Sequence, residues 1–439
     1  SIPIFYNKSK IENEIKNQLL KDHNINFKSS NNIKYGIFPR PNYKFKNIQI
    51  FNNKNKKFAN VEILRINLKI ANFFFKKKLN IKEVLFKNAK FDMNEKNFDF
   101  FFNLLESDFS KSNIKISDSY IFFKNDQDEV LLINKIKQMN YYYDKKKIQN
   151  ILTVKNEIFN IPYYLEFYND KDKKKIFSKI NINILKSSFE SEYDYRKNIK
   201  KGLISIKNDK NKSQIDFTLT KERLIFELSD KMNEENFKYD GEINLKPFYL
   251  DFSGKLKKIS LNHFINSNSV LLQLLKTETL NNQNLNITST IKSKKIIPYQ
   301  KLINFLLNVR IKEGLIDIDD SNFSWSNFAD FEISESLIYL NNNNLALDGK
   351  MKIKLKNYDE IYKFFQTPRN HRKEIKDLEF FFNYNFDQEI INISELKIDN
   401  QSNEKVGEIL KNLVTQENVL QNRIYLKNLI NKAIKAYSG

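Results

Sequence analysis

Residues 58–70 read Phe-Ala-Asn-Val-Glu-Ile-Leu-Arg-Ile-Asn-Leu-Lys-Ile, and residues 79–93 read Leu-Asn-Ile-Lys-Glu-Val-Leu-Phe-Lys-Asn-Ala-Lys-Phe-Asp-Met. Apolar and polar residues alternate in both stretches, so each strand would have one apolar face and one polar face. Both belong to a ladder of short strand patterns from Asn31 to Met93, which a single Pro39-Arg40-Pro41 turn interrupts. Similar alternation runs through most of the 439 residues. The pattern predicts a mainly β fold of antiparallel strands with one apolar face.

Helical patterns interrupt this alternation at the start, in the middle and at the end of the chain. In the first, Ile11, Ile15 and Leu19 recur every four residues, with Ser9 as the expected N-cap and Glu12 as its capping-box partner. In the last, apolar residues approximate a 3.6-residue period. We predict helices over Lys8–Leu20, Phe98–Leu105, Phe264–Leu275, Tyr299–Val309, Tyr358–Gln366 and Glu404–Ala436.

The order of these patterns gives the expected organisation of the chain. No repeat at a fixed period and no low-complexity linker divides it. We therefore expect one continuous, elongated β structure with helical plugs, rather than separate globular domains. The expected segments are 1–110 (helix plus strands), 111–260 (strands), 261–310 (helical insertion), 311–402 (strands) and 403–439 (amphipathic helix).

The charge balance favours a solvated lysine surface over a nucleic-acid site. The net charge is +21, but the 74 basic residues are 66 Lys and only 8 Arg. Arginine is the residue that suits bidentate contacts with phosphates and bases, so no nucleic-acid partner is expected. The Tyr141–Lys147 stretch mixes aromatic and basic residues, and an edge strand followed by a turn explains it without a ligand. A modest attraction to anionic lipid surfaces is compatible with this composition.

Residues that carry chemistry are scarce. The chain has no cysteine, and His23, His263 and His371 have no partner at metal-ligand spacing. Asp317, Asp319 and Asp320 lack the glycine and glutamate of a calcium loop, so a polar strand end is the better interpretation. No nucleophile elbow or phosphate-binding glycine loop is present. We therefore expect no enzyme activity, no catalytic residue, no metal and no cofactor.

The segment from Ile11 to Met93 resembles the N-terminal region of AsmA-family proteins of Gram-negative bacteria, particularly the alphaproteobacterial type. The family pattern is a helix, a strand, a Leu-Pro-x-Pro turn, an alternating strand, a longer apolar strand, a short basic stretch and a further strand. The corresponding residues here are Ile11–Leu20, Ile25–Ile37, Phe38–Pro41, Phe45–Ile50, Phe58–Ile70, Lys76–Lys78 and Ile81–Met93. Residues 156–167 and 345–353 are similar to later family strands, although Ala89-Lys90 and Ile158-Phe159 stand where the family often has Gly or Pro.

The resemblance implies a chorein-like start at residues 1–110 and an elongated, curved antiparallel sheet that forms a taco-like hydrophobic groove, as in bridge-type lipid-transfer proteins. N-terminal, middle and C-terminal helices would cap this groove. The resemblance also implies a periplasmic protein, anchored in the inner membrane by a segment before Ser1, that carries phospholipid to the outer membrane and supports outer-membrane integrity. An outer-membrane or periplasmic protein partner would belong to such a system.

Acyl chains are costly to expose, since each buried methylene is worth about 0.8 kcal/mol. A one-faced sheet can shield them without catalytic groups. The candidate groove residues are Ile66, Leu68, Ile70, Ile182, Ile184, Phe217, Leu219, Phe226, Leu228, Phe248, Leu250, Phe252, Ile353 and Phe382. Two other interpretations stay open. The same residues could pack against the protein's own helices, giving an envelope structural factor or an assembly factor for outer-membrane proteins, or the basic surface could bind a polyanion.

Overall fold

The structure is a computed structural model of the chain. It describes residues 8–23, 25–29, 33–38, 40–52, 55–69, 80–94, 113–124, 128–158, 161–170, 172–184, 186–194, 199–208, 211–220, 223–229, 236–245, 248–260, 275–276, 285–299, 301–342, 344–411 and 423–438. Strands hold 67% of these residues and helices 15%, which confirms the mainly β fold with helices. The chain forms two compact units, Ser1–Leu224 (unit 1) and Ile225–Gly439 (unit 2).

Unit 1 is one helix and a long, mostly antiparallel sheet. Its elements are α1 (Lys8–His23), β1 (Asn26–Lys28), β2 (Lys34–Gly36), β3 (Asn42–Phe51), β4 (Lys57–Leu68), β5 (Ile81–Met93), β6 (Asn113–Lys124), β7 (Val130–Asp144), β8 (Gln149–Ile158), β9 (Ile161–Asp170), β10 (Lys175–Ile182), β11 (Ser187–Asp194), β12 (Lys200–Asn208) and β13 (Asn211–Leu219). From β3 to β13 each strand pairs with the next one along the chain. Only β5 and β6 in this series pair in parallel, and the 94–112 connection is long enough for the crossover that a parallel pair needs.

Unit 2 repeats this plan with more helices. The division between the units falls within β14 (Arg223–Ser229). The elements that follow are β15 (Phe237–Leu245), β16 (Phe248–Ser260), β17 (Asn286–Ile297), β18 (Leu302–Lys312), β19 (Leu315–Asp317), β20 (Ser321–Trp325), β21 (Ala329–Asn341), β22 (Asn344–Leu355), α2 (Tyr358–Phe365), a 3₁₀ turn (Arg369–His371), β23 (Asp377–Asn385), β24 (Ile390–Ile398), β25 (Gln401–Ser402), α3 (Glu404–Lys411) and α4 (Arg423–Ser438). Again one parallel pair, β16 with β17, follows a long connection in an otherwise antiparallel order.

Helix α1 confirms the helix predicted over Lys8–Leu20 and extends it to His23. Ile11, Ile15 and Leu19 are buried in the main hydrophobic cluster of unit 1, as their spacing predicts. The capping-box prediction is wrong. The helix already includes Ser9, and the Glu12 carboxylate instead accepts a hydrogen bond from Ser29 at 2.9 Å and pairs with Lys16 at 2.6 Å.

The helix predicted over Tyr299–Val309 is also wrong, because these residues lie mainly in strand β18. The apolar run from Leu302 to Ile311 suits a buried helix or a strand in sequence alone. Pairing decides the outcome: β18 lies antiparallel to β17, with Ile291 opposite Leu307. Residues 286–297 and 302–310 of the predicted helical insertion are therefore sheet.

The remaining helix predictions have mixed outcomes. Helix α2 confirms the short helix at Tyr358–Gln366, with Asn357 as its N-cap and Gln366 in the left-handed conformation that ends it. Helix α3 lies within the predicted Glu404–Ala436 helix, and α4 begins within it and extends two residues beyond it to Ser438; residues 412–422 fall outside the described part. The Phe98–Leu105 helix and all but Leu275 of the Phe264–Leu275 helix also fall outside it. Within the described residues, no helix has the length and apolarity to span a bilayer.

Candidate functional site

An unbroken line of apolar side chains crosses one face of the unit 1 sheet from β3 to β12. Each member lies directly opposite the next in the strand pairing, so all project from the same face. We call this line the apolar row. Its members are Phe45, Leu64, Phe86, Ile116, Met139, Val154, Leu165, Ile180, Phe189 and Ile206.

The burial of the apolar row falls along the sheet. At the first strands Phe45 and Leu64 are 0% exposed, within the cluster that contains Ile15 of α1. Val154 on β8 is still 4% exposed. The last four members, Leu165, Ile180, Phe189 and Ile206 on β9–β12, are only half-buried, and we call them the open stretch. The apolar row is therefore covered at its β3 end and partly accessible to solvent at its β12 end.

Several polar groups near the open stretch form hydrogen bonds with each other. The hydroxyls of Ser178 and Ser191, which face each other across β10 and β11, lie 2.6 Å apart. Asn156 donates to the Tyr163 hydroxyl at 2.9 Å, and that hydroxyl donates to Asn134 at 3.2 Å. Burial raises the pKa of Tyr163, so its hydroxyl stays protonated and neutral at physiological pH. The face thus carries no charged group at these positions.

The opposite face of the same strands is charged. Lys179 on β10 contacts Glu190 on β11 at 2.8 Å, and Lys207 on β12 approaches the same carboxylate at 3.4 Å. The hydrogen bond from Lys179 lowers the pKa of Glu190, and the pKa of Lys179 is raised in return. Lys175 and Glu192 form a further pair at 2.8 Å. This cross-strand ladder is a solvated outer face, which identifies the apolar row as the inner face.

Glycines on the apolar faces lie beneath aromatic rings of neighbouring strands. A Cβ atom added to Gly202 would come within 2.1 Å of the Glu192 carbonyl oxygen and 2.7 Å of the Phe217 ring. In unit 2 a Cβ on Gly254 would meet the Tyr239 ring at 2.5 Å, and one on Gly349 would meet the Phe382 ring at 3.0 Å. Only glycine lets a ring cross the backbone so closely, so these aromatic side chains lie low over the sheet.

A cleft of about 790 Å³ lies on the polar face of unit 1. It forms where Asn47 on β3, Asn88 on β5 and Asp118 on β6 adopt positive φ values of 49°, 52° and 51°. Each interrupts the alternation of its strand, so apolar residues on both sides of it point to the core. Asn88 donates to the Glu62 carboxylate at 2.6 Å. The walls mix charges of both signs, and this cleft is a consequence of the aligned irregularities.

In unit 2, the protein's own helices pack on the apolar face. Ile353 on β22 lies opposite Leu378 on β23, and both line a cavity of about 300 Å³ whose walls are all apolar or aromatic. Leu429 and Ala433 of α4 are buried against the same cavity. Thr367 donates to Asn431 at 2.7 Å and so ties the end of α2 to α4. The cavity is at the small end of the range for ligand pockets, and helices form its roof.

A second part of the unit 2 face is covered by Leu275, from the connection between β16 and β17. Leu275 is buried with Leu345, Leu347 and Phe382 in one hydrophobic cluster. The ammonium of the following residue, Lys276, pairs with the Asp387 carboxylate. Burial raises the pKa of this carboxyl group, but the hydrogen bonds from Lys276 and from the Leu345 amide, together with the Lys276 charge, bring it below its usual value. The Leu345 amide donates to the same carboxylate at 2.9 Å.

The predicted groove residues lie at several depths. Ile66 (0% exposed), Leu68 (4%), Phe217 (7%) and Phe382 (7%) are buried. Ile184 is not on a strand: β10 ends at Ile182, and Ile184 lies in the following turn with 62% of its surface exposed, so its placement in a strand is corrected. The half-buried members are Ile182, Leu219, Phe226, Leu228, Leu250, Phe252 and Ile353. Ile70 lies outside the described residues, as does the side chain of Phe248.

The open stretch itself was missed from sequence. Phe189 is the only apolar residue between Ser187 and Glu192 in β11. The sequence around it shows no alternation of apolar and polar residues that would predict an apolar face. Only its pairing with Ile180 on one side and Ile206 on the other places it in the row. Leu165 and Ile206 do lie in alternating segments, so this signal could have found them.

The family-like turn is described only in part. Pro39 lies outside the described residues, Arg40 is half-buried, and Pro41 is buried, with its carbonyl accepting from the Leu68 amide at 2.8 Å. Asn42 donates to the Arg40 carbonyl at 2.7 Å. These hydrogen bonds fix the turn that leads into β3.

Among the described residues no three His, Asp or Glu side chains cluster in a way that could hold a metal ion. No family model matches the chain, and no curated protein matches its sequence.

Proposed function

We propose that this protein carries phospholipid acyl chains on its apolar face, as an AsmA-like, bridge-type lipid-transfer protein of the periplasm, between the inner and outer membranes. The observation that carries this proposal is the open stretch. Its four apolar side chains continue a row that is fully buried at the other end, yet they are themselves only half-buried.

The free-energy balance favours an aliphatic occupant. Half-buried Leu, Ile and Phe side chains leave apolar area in water at a cost of about 25 cal/mol per Å². A sixteen-carbon chain in water carries a larger cost, on the order of 12 kcal/mol. Contact between the two removes part of both costs. A ligand with a charged tail would gain nothing on a face whose nearby polar groups, such as Ser178 and Ser191, already bond to each other.

A headgroup would be accommodated differently. The strands of the open stretch are only eight to ten residues long, and their ends carry charged turns such as Asp170–Lys174. A chain lying on the apolar row could therefore keep its headgroup in water at the edge of the sheet. The proposal includes no covalent step, and it requires no cofactor.

The test is lipid content and lipid uptake measured by native mass spectrometry. The purified 439-residue chain should carry or take up phospholipid from a detergent-free titration. Ile180→Asp, which puts a charge in the open stretch, should reduce uptake at least tenfold. Asn181→Asp adds the same charge one residue later, on the opposite face, and should leave uptake within twofold. A wild-type protein with no bound lipid and no uptake would refute the proposal.

One observation favours a second candidate, a non-transporting structural or assembly factor of the envelope. In unit 2, α2, α3, α4 and Leu275 occupy the apolar face. If the apolar face of unit 1 is likewise filled by the protein itself, it has no place for a lipid. In that case Ile180→Asp would unfold the protein, whereas Ile180→Asp that stays folded and loses uptake supports transport.

A further inference from the structure

One long edge of the unit 1 sheet combines lysines with exposed bulky apolar residues. The strand pairing places the β2–β3, β4–β5, β7–β8, β9–β10 and β11–β12 connections on this edge. Alternate connections of an antiparallel sheet lie on the same side, and the parallel pair of β5 and β6 shifts this alternation by one connection. We call it the lysine edge. Its described residues are Ile37, Phe38, Arg40, Pro41, Lys69, Asp144, Lys145, Lys146, Lys147, Ile148, Asp170, Asp172, Lys173, Lys174, Ile199 and Lys200.

The apolar residues of the lysine edge are among the most exposed in the chain. Phe38 is 89% exposed, Ile199 52%, and Ile37 and Ile148 each 45%. Ile148 also has a φ of 53°, a conformation that is rare for β-branched residues. Because these side chains at the turn tips lie mostly in water, they do not contribute the stabilisation that burial would give. A partner with an apolar layer would remove them from water.

Four lysines of the edge, Lys145, Lys146, Lys147 and Lys174, have no carboxylate partner among the described residues, whereas the Lys173 ammonium lies 3.7 Å from the Asp170 carboxylate. The carboxylate of Asp144 is engaged with its own turn, accepting from the Lys146 and Lys147 amides at 2.9 and 3.3 Å. Asp170 does the same for the Lys173 amide at 3.0 Å. These turns therefore present positive charge although their sequences contain aspartates.

The opposite edge of the same sheet lacks this combination. Its described charged residues in the connections are Lys56, Lys57 and Lys186 against Asp128 and Glu129, a nearly balanced set. The lysine edge has eight basic residues against three acidic ones. Among the described residues of these connections, the positive charge is thus concentrated on one edge of unit 1.

We propose that the lysine edge docks on an anionic phospholipid bilayer, with Phe38 and Ile148 inserted at the level of the headgroups and the lysines on lipid phosphates. Compact ammonium groups bind phosphate surfaces as point charges, and aliphatic and aromatic tips enter the interface. Nucleic acid is a poorer match, because the described residues of the edge include a single arginine, and Phe38 is the only exposed large aromatic residue among them. The docking is independent of whether the apolar row holds a lipid, and it would place that row beside its source.

The test is co-sedimentation of the full chain with vesicles of phosphatidylcholine alone or with about 30% phosphatidylglycerol. Binding should require the anionic lipid and weaken as salt is raised. Lys145→Gln/Lys146→Gln/Lys147→Gln should weaken binding on the order of 100-fold. Phe38→Ser should weaken it about tenfold. These residues are at turn tips, and unchanged circular dichroism and melting temperature confirm that the variants are folded.

Matched controls come from the opposite edge. Ile184→Ser removes an apolar residue of similar exposure, and Lys56→Gln/Lys57→Gln/Lys186→Gln removes the same charge; both should change binding less than about threefold. Equal losses from both edges, no binding to anionic vesicles, or binding to a single-stranded oligonucleotide in preference to vesicles would each overturn the docking proposal. Ile180→Asp separates the two proposals, because it should abolish lipid uptake while vesicle binding persists.

Discussion

The apolar faces of the two units have the same strand chemistry and different covers. In unit 2, Ile353 and Leu378 lie beneath α4 and line a roofed cavity. In unit 1, Ile180 and Phe189 are half-buried and belong to no helix-covered cluster of the described residues. This difference shows that the alternation of apolar and polar residues determines which face of a sheet is apolar. The elements that pack on that face determine whether it becomes a core or stays accessible.

Truncation of one residue on each face should reveal this difference most strongly. Leu429→Ala removes a buried contact from the unit 2 roof and should cost about 3 kcal/mol of the free energy of unfolding. Ile180→Ala in the open stretch should cost about 1 kcal/mol, because its surroundings are already partly solvent. Denaturant unfolding measures both. The sole tryptophan, Trp325, reports on unit 2 by fluorescence, since it packs edge-on against Phe365. Equal costs would contradict the comparison.

Low pH should lower the stability of the part of unit 1 that packs against α1. Burial lowers the pKa of His23 from 6.5 to about 4, against a smaller opposing effect of Asp22. The unfolded chain then takes up this proton below pH 6.5 while the folded chain does not. His23 therefore does not reduce the free energy of unfolding above pH 6.5. As the pH falls from 6.5 to about 4, the free energy of unfolding decreases by up to about 3 kcal/mol.

Hydrogen exchange of β3–β5 peptides at pH 7 and pH 4.5 measures this effect. A His23→Gln variant should be less sensitive to acid than the wild type over this interval. If the two proteins lose protection equally, the His23 account is wrong.

Replacement of glycine by alanine should have opposite effects on stability in the sheet of unit 1 and in helix α3. Gly202→Ala places a methyl group against the Glu192 carbonyl and the Phe217 ring and should destabilise unit 1 by about 2 kcal/mol. Gly407→Ala in α3 meets nothing within 4 Å and should stabilise unit 2 by about 1 kcal/mol through helix propensity. Thermal melts of the two variants should therefore shift in opposite directions. A neutral Gly202→Ala would show that the ring does not lie as described.

Removal of an ion pair from the charged outer face of unit 1 should have the smallest effect on the free energy of unfolding. Lys179→Gln removes one partner of Glu190, whose carboxylate keeps Lys207 at 3.4 Å. Exposed pairs of this kind contribute less than about 1 kcal/mol, and salt screens them. The expected loss is below about 0.5 kcal/mol by denaturant unfolding at 0.15 M salt. A larger loss would mean that this face is less solvated than its ion pairs indicate.

Local pattern predicted much of the fold. Helix α1 follows from Ile11, Ile15 and Leu19, and strand β4 follows from the alternation around Ile66. Strand β18 was missed because its run of Leu and Phe residues fits a buried helix equally well, and only pairing with β17 resolves it. Tertiary contacts of this kind have no local signature.

The candidate site was less predictable than the fold. Phe189 lies among serines and acidic residues, so its place in the apolar row depends on register. The left-handed residues Asn47, Asn88 and Asp118 shift the alternation within their strands, which a simple period-2 pattern does not anticipate. Glycine beneath aromatic rings, as at Gly349 and Phe382, likewise requires two strands to be seen together.

The most direct test of the central claim is to locate a bound lipid. A phospholipid with a photoreactive diazirine in its acyl chain would be incubated with the 439-residue protein, irradiated, and the labelled peptides identified by mass spectrometry. We predict labels on the strands of the open stretch, β9–β12, and their loss in Ile180→Asp but not in Asn181→Asp. Labels confined to α4 and β22–β24, or no label at all, would contradict the account.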